Sequence, residues 1–257
     1  MRQLHGCALT KSAPGADASD TMAAEDLHIG AAGSSARHHA ERLRLDREQR
    51  TRERALLARA GTSFFPPPET RRRRLQERNW ATGTEGEEGL AACLSRRCPE
   101  VPMLHDRAAP LSRANIDHIA IAPSGVYVID CKRYRGKIEV TTPLFGSQKL
   151  KVNGRNRTSL IRGLERQVAH VQAALSGLGA EIPVHGCLCF VAPAGDFGIV
   201  GLPIFRTPKI DGYPLYHAGR LARRLNRSGP IDGEDARALH QELARRLPPA
   251  VRSRAAA

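Results

Sequence analysis

Asp117, Asp130 and Lys132 are the residues of this chain best spaced to do chemistry, and all three belong to the stretch Ile116 to Lys132. The stretch reads as two short strands of apolar and β-branched residues joined by a Pro-Ser-Gly turn. Side chains alternate between faces along a strand. Asp117, Ile119 and Ile121 therefore share one face of the first strand, and Val126, Val128, Asp130 and Lys132 share one face of the second. If Ala122 to Gly125 form the loop, Ile121 pairs with Val126, Ile119 with Val128, and Asp117 with Asp130. Two carboxylates directly across a ladder repel and weaken a hairpin. A fold that keeps them needs an offsetting cation: the lysine ammonium, a divalent metal, or both. Metal-dependent cleavage of a phosphodiester uses such an arrangement.

Two helices must bring further polar groups to these acids. In the helix expected over 83–97 the apolar stripe is Leu90, Ala91 and Leu94, and stepping back three and four residues lands on Glu87. Glu85 and Glu88 fall elsewhere and are expected to be solvated. An acid on an apolar stripe is costly unless it is paired or bound to metal. A second amphipathic helix, expected over 159–175, has Leu160, Leu164, Val168, Val171 and Leu175 on its buried side. Gln167 lies on that same side and needs a partner: a water, metal-bound solvent or a phosphate.

The remaining segments divide the chain. Residues 1 to about 36 are rich in Ala, Gly, Ser and Asp without periodicity, so disorder is expected. Residues 37–60 suit a helix but have almost no apolar stripe, which leaves a solvated charged helix, a disordered arm or a basic arm on nucleic acid. Three prolines end the linker 61–68, and Arg71 to Arg74 follow as a cluster that suits either a phosphate backbone or a plain tail. The compact part is expected from about Trp80. Residues 1–79 thus form an Arg-rich extension, 80–192 the main domain, 193–247 a C-terminal extension completing or flanking it, and 248–257 a tail. Strands are expected over 101–107, 137–140, 149–153 and 184–192, and helices over 218–226 and 232–247. Helices flanking a mixed sheet indicate an α/β (α+β) architecture.

Composition bears on the partner. Among 257 residues, 40 Lys and Arg face 26 Asp and Glu, for a formal charge of +14. Such a balance favours an anionic partner, nucleic acid first, although a coding bias toward Arg and Ala would raise the charge without any function. No apolar run approaches the roughly 18 residues of a membrane span, and the first thirty residues lack the apolar core of a signal peptide. The protein is expected to be cytoplasmic, with no membrane partner. Cys7, Cys93, Cys98, Cys131, Cys187 and Cys189 show no paired spacing, and Cys187 and Cys189 sit in an apolar strand where reduced, buried thiols are expected.

Glu87 in Gly83-Thr84-Glu85-Gly86-Glu87, Asn115 before Ile116-Asp117-His118, Pro123-Ser124-Gly125-Val126, Asp130-Cys131-Lys132, Tyr134-Arg135-Gly136 and Gln167 occur here in the order of a known family. Together they resemble the NERD (nuclease-related) domain, a branch of the PD-(D/E)XK, or restriction-endonuclease-like, superfamily. The resemblance covers roughly residues 80–192. It implies a mixed central sheet flanked by helices. It also implies Asp117 and Asp130 as ligands of Mg²⁺ or Mn²⁺, with Glu87 an additional acid at the metal's edge. Lys132 would activate water and stabilise phosphate charge, and Gln167 would accompany it. The activity implied is hydrolysis of DNA by a metal-activated water.

Plainer readings stand beside each of these. Asp130 and Lys132 alone could be a surface ion pair, Asp117 a solubilising strand-edge acid, Glu87 a first-turn acid favoured by the helix dipole, and Gln167 a satisfied core amide. His118 points away from Asp117, which suits a structural hydrogen bond. Tyr134, Arg135 and Lys137 suit either a phosphate grip or solvated loop charges. For the whole chain, the alternatives to a nuclease are a catalytically silent nucleic-acid-binding or interaction module on the same fold, and an enzyme acting on a small anionic substrate.

Overall fold

Apolar alternation and turn chemistry build the central hairpin. In the computed structural model, which describes residues 29–59, 69–109, 115–144, 146–178, 181–192, 201–203 and 205–250, strand β2 (Asn115–Ala122) returns as β3 (Gly125–Arg133). Ile121 pairs with Val126 and Ile119 with Val128, the register expected from the alternation, and the ladder closes at Ala122 and Gly125. β1 (Met103–Ala108) lies antiparallel on the far side of β2. β7 (Val184–Val191) lies parallel to β3, β9 (Tyr213–His217) parallel to β7, and β8 (Lys209–Ile210) closes the edge. The result is a six-stranded mixed sheet ordered β1-β2-β3-β7-β9-β8.

Because both sheet faces are covered, the central strands are apolar on both sides. One face carries Ile119, Ile121, Val126, Val128 and Leu188 against α3 (Ser159–Leu175) and α5 (Gly233–Arg246). The other carries Ala120, Tyr127, Ile129, Cys131 and Cys189 against α2 (Glu69–Arg97) and α4 (Ala218–Leu225). A helix-flanked mixed sheet is the architecture the sequence indicated. Asp232 caps α5 by accepting from the backbone N–H groups of Glu234 and Asp235. A small sheet of β4 (Ile138–Thr141), β5 (Lys149–Val152) and β6 (Arg155–Asn156) follows β3, with Asn153 and Gly154 at positive φ in its tight turn.

Residues 34–59 form helix α1 along α2, the charged helix that was one of the readings open for 37–60. Three stretches depart from expectation. Helix α2 begins at Glu69 rather than near residue 83 and takes in Arg71 to Arg74, a run without an apolar stripe that periodicity could mark. Residues 29–36, expected to be disordered, dock onto the domain: Ala32, Ser35 and Ala36 are buried, and Ser34 and Ser35 bind Asp106. At the other end Pro248 to Ala250 is no free tail, since the Pro248 carbonyl accepts from the Ala108 N–H at 2.8 Å and Ala250 is buried. The expectations for residues 1–28, the linker 61–68 and the end 251–257 lie outside the described residues. The extension after Ala192 contributes β8, β9, α4 and α5, and so completes the sheet and covers both of its faces. No helix of the described residues is long and apolar enough to cross a membrane.

Candidate active site

The hairpin places two of the acids. His118 pairs with Ile129, so the next step outward sets Asp117 opposite Asp130. Asp117 Oδ2 accepts the Cys131 N–H at 2.8 Å, which turns its carboxyl toward β3. Burial pushes the Asp117 pKa well above its ordinary value, and repulsion from Asp130 and Glu87 adds to this while Lys132 opposes it. Lys132 Nζ donates to Asp130 Oδ1, an ion pair in which the aspartate side chain is 5% exposed and the lysine 22%. Burial alone would lower the lysine pKa. Asp130 and then Asp117 outweigh it and hold the ammonium above its usual range.

Glu87 reaches the pair from the opposite helix layer. Gly86 makes this approach feasible, because a Cβ there would lie 3.2 Å from both Arg133 Cβ and Val191 Cγ2 at the ends of β3 and β7. Burial, then repulsion from Asp106 and Asp130, raises the Glu87 carboxyl from 4.5 to about 7. Lys132 and a hydrogen bond from the Gly33 N–H oppose that rise. Glu85 and Glu88 are directed outward to Arg133 and Arg37, as the helix phase required.

Thus Asp117, Asp130, Lys132 and Glu87 act on one another electrostatically. Gln167 lies on the buried stripe of α3, on the sheet face that Asp130 shares, but no hydrogen bond joins it to the acids or the lysine. Glu87 Oε2 and Gln167 Oε1 are buried and lack hydrogen-bond partners. Buried oxygens of this kind are costly unless something fills the gap. Carboxylate and carbonyl oxygens are the donors a hard divalent cation takes, so the donor set fits one. Even so, among the described residues no three His, Cys, Asp or Glu side chains converge as a finished metal cage.

Several neighbours of the candidate site escaped sequence reasoning. Asp106 is fully buried at φ +48°, where it accepts from Ser34 Oγ, from Ser35 N–H at 2.6 Å and from Asn115 Nδ2 at 2.6 Å. It therefore anchors residues 34–35 while raising the Glu87 pKa. A signal did exist: Asp106 and Arg107 interrupt an apolar, strand-like run. Arg107 is fully buried and donates to the carbonyls of Leu247 and Ala244. His118 has the structural role expected of it, its Nδ1 2.8 Å from His105 Nδ1. Burial, then the Arg107 charge, lowers His105 to about 4. Tyr134 stacks under Arg157, whose guanidinium carbon lies 5.4 Å from the ring centre.

The family model of the nuclease-related domain (NERD) matches residues 82–191, somewhat under half of the chain. That span includes Glu87, Asp117, Asp130, Lys132 and Gln167 and excludes α1, β8, β9, α4 and α5. No curated protein and no solved structure matches the chain.

Proposed function

We propose that the chain is a metal-dependent nuclease hydrolysing DNA phosphodiester bonds. The observation that carries this reading is Asp117 set across the ladder from Asp130, whose carboxylate is ion-paired with the Lys132 ammonium, with Glu87 close enough to be destabilised by Asp130. Asp117, Asp130 and Glu87 would hold Mg²⁺ or Mn²⁺, which when bound supplies Lewis acidity toward water and a phosphate oxygen. Asp117 and Glu87 hold protons more tightly than usual and are poised for such an ion, since a cation removes the repulsion that burial amplifies. Lys132 keeps a fixed positive charge where a phosphate would gain negative charge. Its ammonium also orients Asp130. Gln167 Oε1 remains available to a water or ligand in the same layer. The +14 charge suits a polyanionic substrate, and the five cysteines among the described residues, all free, suit the reducing cytoplasm.

One observation favours a second reading. Lys132 already neutralises one oxygen of Asp130, and no finished metal cage is present among the described residues. A catalytically silent nucleic-acid-binding module on this fold would have the same features. Plasmid nicking by the purified chain with Mg²⁺ or Mn²⁺ separates the two. The nuclease reading expects cleavage that falls at least about a hundredfold in Asp130→Ala and Lys132→Ala, with DNA binding retained. DNA binding without metal and without cleavage by the parent would refute it and favour the module.

A further inference from the structure

A cleft of about 630 Å³ opens at the end of the sheet opposite the acids, and neither the family match nor the proposed chemistry assigns it a role. It lies at the start of β3 and β7, where Val126 to Val128 pair with Val184 to Gly186, whereas Asp130 and Lys132 occupy the far end of β3. Its volume is that of a small-molecule site.

The lining combines π-faces with cations. Tyr127 packs against His185 with ring centres 4.7 Å apart, and the Arg224 guanidinium lies over the Tyr127 ring at 5.8 Å. Tyr127 is held in place by a 2.9 Å hydrogen bond between its hydroxyl and Ser124 Oγ. Tyr213 is laid across the sheet by the missing side chain of Gly186, where a Cβ would come within 2.9 Å of the tyrosine ring. Tyr216 is 9% exposed and lines the cleft. Arg224 and Arg227 both lie within electrostatic range of its hydroxyl.

Charge in the cleft is not balanced from within. Lys209, Arg224 and Arg227 face only one lining carboxylate, Asp211, and form no ion pair among the described residues. An apolar metabolite would leave these cations uncompensated, while a bare anion would leave the aromatic faces unused. A nucleotide uses both, since its base stacks on aromatic rings and its phosphate takes guanidinium and ammonium donors.

We propose that this cleft binds a nucleotide, its base against Tyr216 and its phosphate toward Lys209, Arg224 and Arg227. The nucleotide is either free or one unit of a single strand, as the chemistry recognised is the same. The site is separate from the acids and does not depend on cleavage there.

The test is calorimetric titration of the full chain, in EDTA, with adenosine 5′-monophosphate, ribose 5-phosphate and a short oligothymidylate. Adenosine monophosphate is expected to bind, with ribose 5-phosphate weaker by about fivefold or more, the lower end of one base–aromatic contact. Arg227→Glu and Lys209→Glu alter exposed side chains and should each weaken nucleotide binding by about tenfold. Tyr216→Phe should weaken it less, without changing thermal unfolding. Arg223→Glu, an exposed change on α4 outside the cleft, should leave binding intact. Tighter oligothymidylate binding that is lost in the same variants assigns the cleft to a strand unit, and equal or weaker binding assigns it to free nucleotides. The proposal is overturned if neither nucleotide binds, if ribose 5-phosphate equals adenosine monophosphate, or if Arg223→Glu is as damaging as Arg227→Glu.

Discussion

Replacing Glu87 by glutamine should stabilise the metal-free protein, and only at neutral to alkaline pH. Its carboxyl is raised from 4.5 to about 7, chiefly by burial and then by Asp106. The folded state therefore holds the proton more tightly than the unfolded chain does. Stability linked to this group is complete below about pH 4.5 and is lost as pH rises through about 7. At about 1.4 kcal/mol for each tenfold change in proton affinity, the full cost of ionisation is roughly 3 kcal/mol. Partial exposure and relaxation reduce this to about 2–3 kcal/mol by about pH 8. Glutamine keeps the shape and an acceptor for the Gly33 N–H but carries no charge. Urea unfolding followed by circular dichroism, in EDTA at several values between about pH 4 and 8, isolates the effect as the difference between parent and variant. The two should coincide at the acid end and separate by about 2–3 kcal/mol at the alkaline end, on the order of 5–10 °C in Tm. Saturating Mg²⁺ should stabilise the parent more than the variant. Parallel pH profiles would refute the view that Glu87 is a repelled, buried carboxyl.

Two further outcomes follow from the residues behind the site. His105 is lowered to about 4, so stability linked to it is complete above about pH 6.5 and falls as pH drops toward 4. A His105→Gln variant should flatten that acid limb, which the same unfolding series reads. Arg107→Met should destabilise the fold by about 3 kcal/mol, because it removes the donors to Leu247 and Ala244 and leaves their buried carbonyls without them. Amide exchange at Ala108, which donates to Pro248, should quicken with it.

The hairpin was legible because its information is local. Alternation with a period of two and a Pro-Ser-Gly turn suffice to set Ile121 on Val126, and the register carries Asp117 to Asp130 without reference to the rest of the chain. The phase of α2 likewise separated Glu87 from Glu85 and Glu88. Asp106 left a trace as a charge within an apolar run, but its partners were not legible, since two of its three donors come from Ser34 and Ser35 and nothing in its own neighbourhood marks them as near. The docked segment 29–36 is held by small residues and backbone groups, which leave no apolar periodicity to read. The cleft at Tyr127 and Tyr216 is assembled from three distant segments and becomes apparent only once β9 lies beside β7.

The Gly33 amide on Glu87 and the serines on Asp106 have a practical corollary. A fragment trimmed to the family boundaries would retain every acid and the lysine, yet discard the amide that tempers one carboxylate and two of the donors that restrain another. It would also shed the strand that shields one flank of β7. Such a fragment would test a differently charged pocket on an unfinished sheet, and silence from it would not speak for the intact chain.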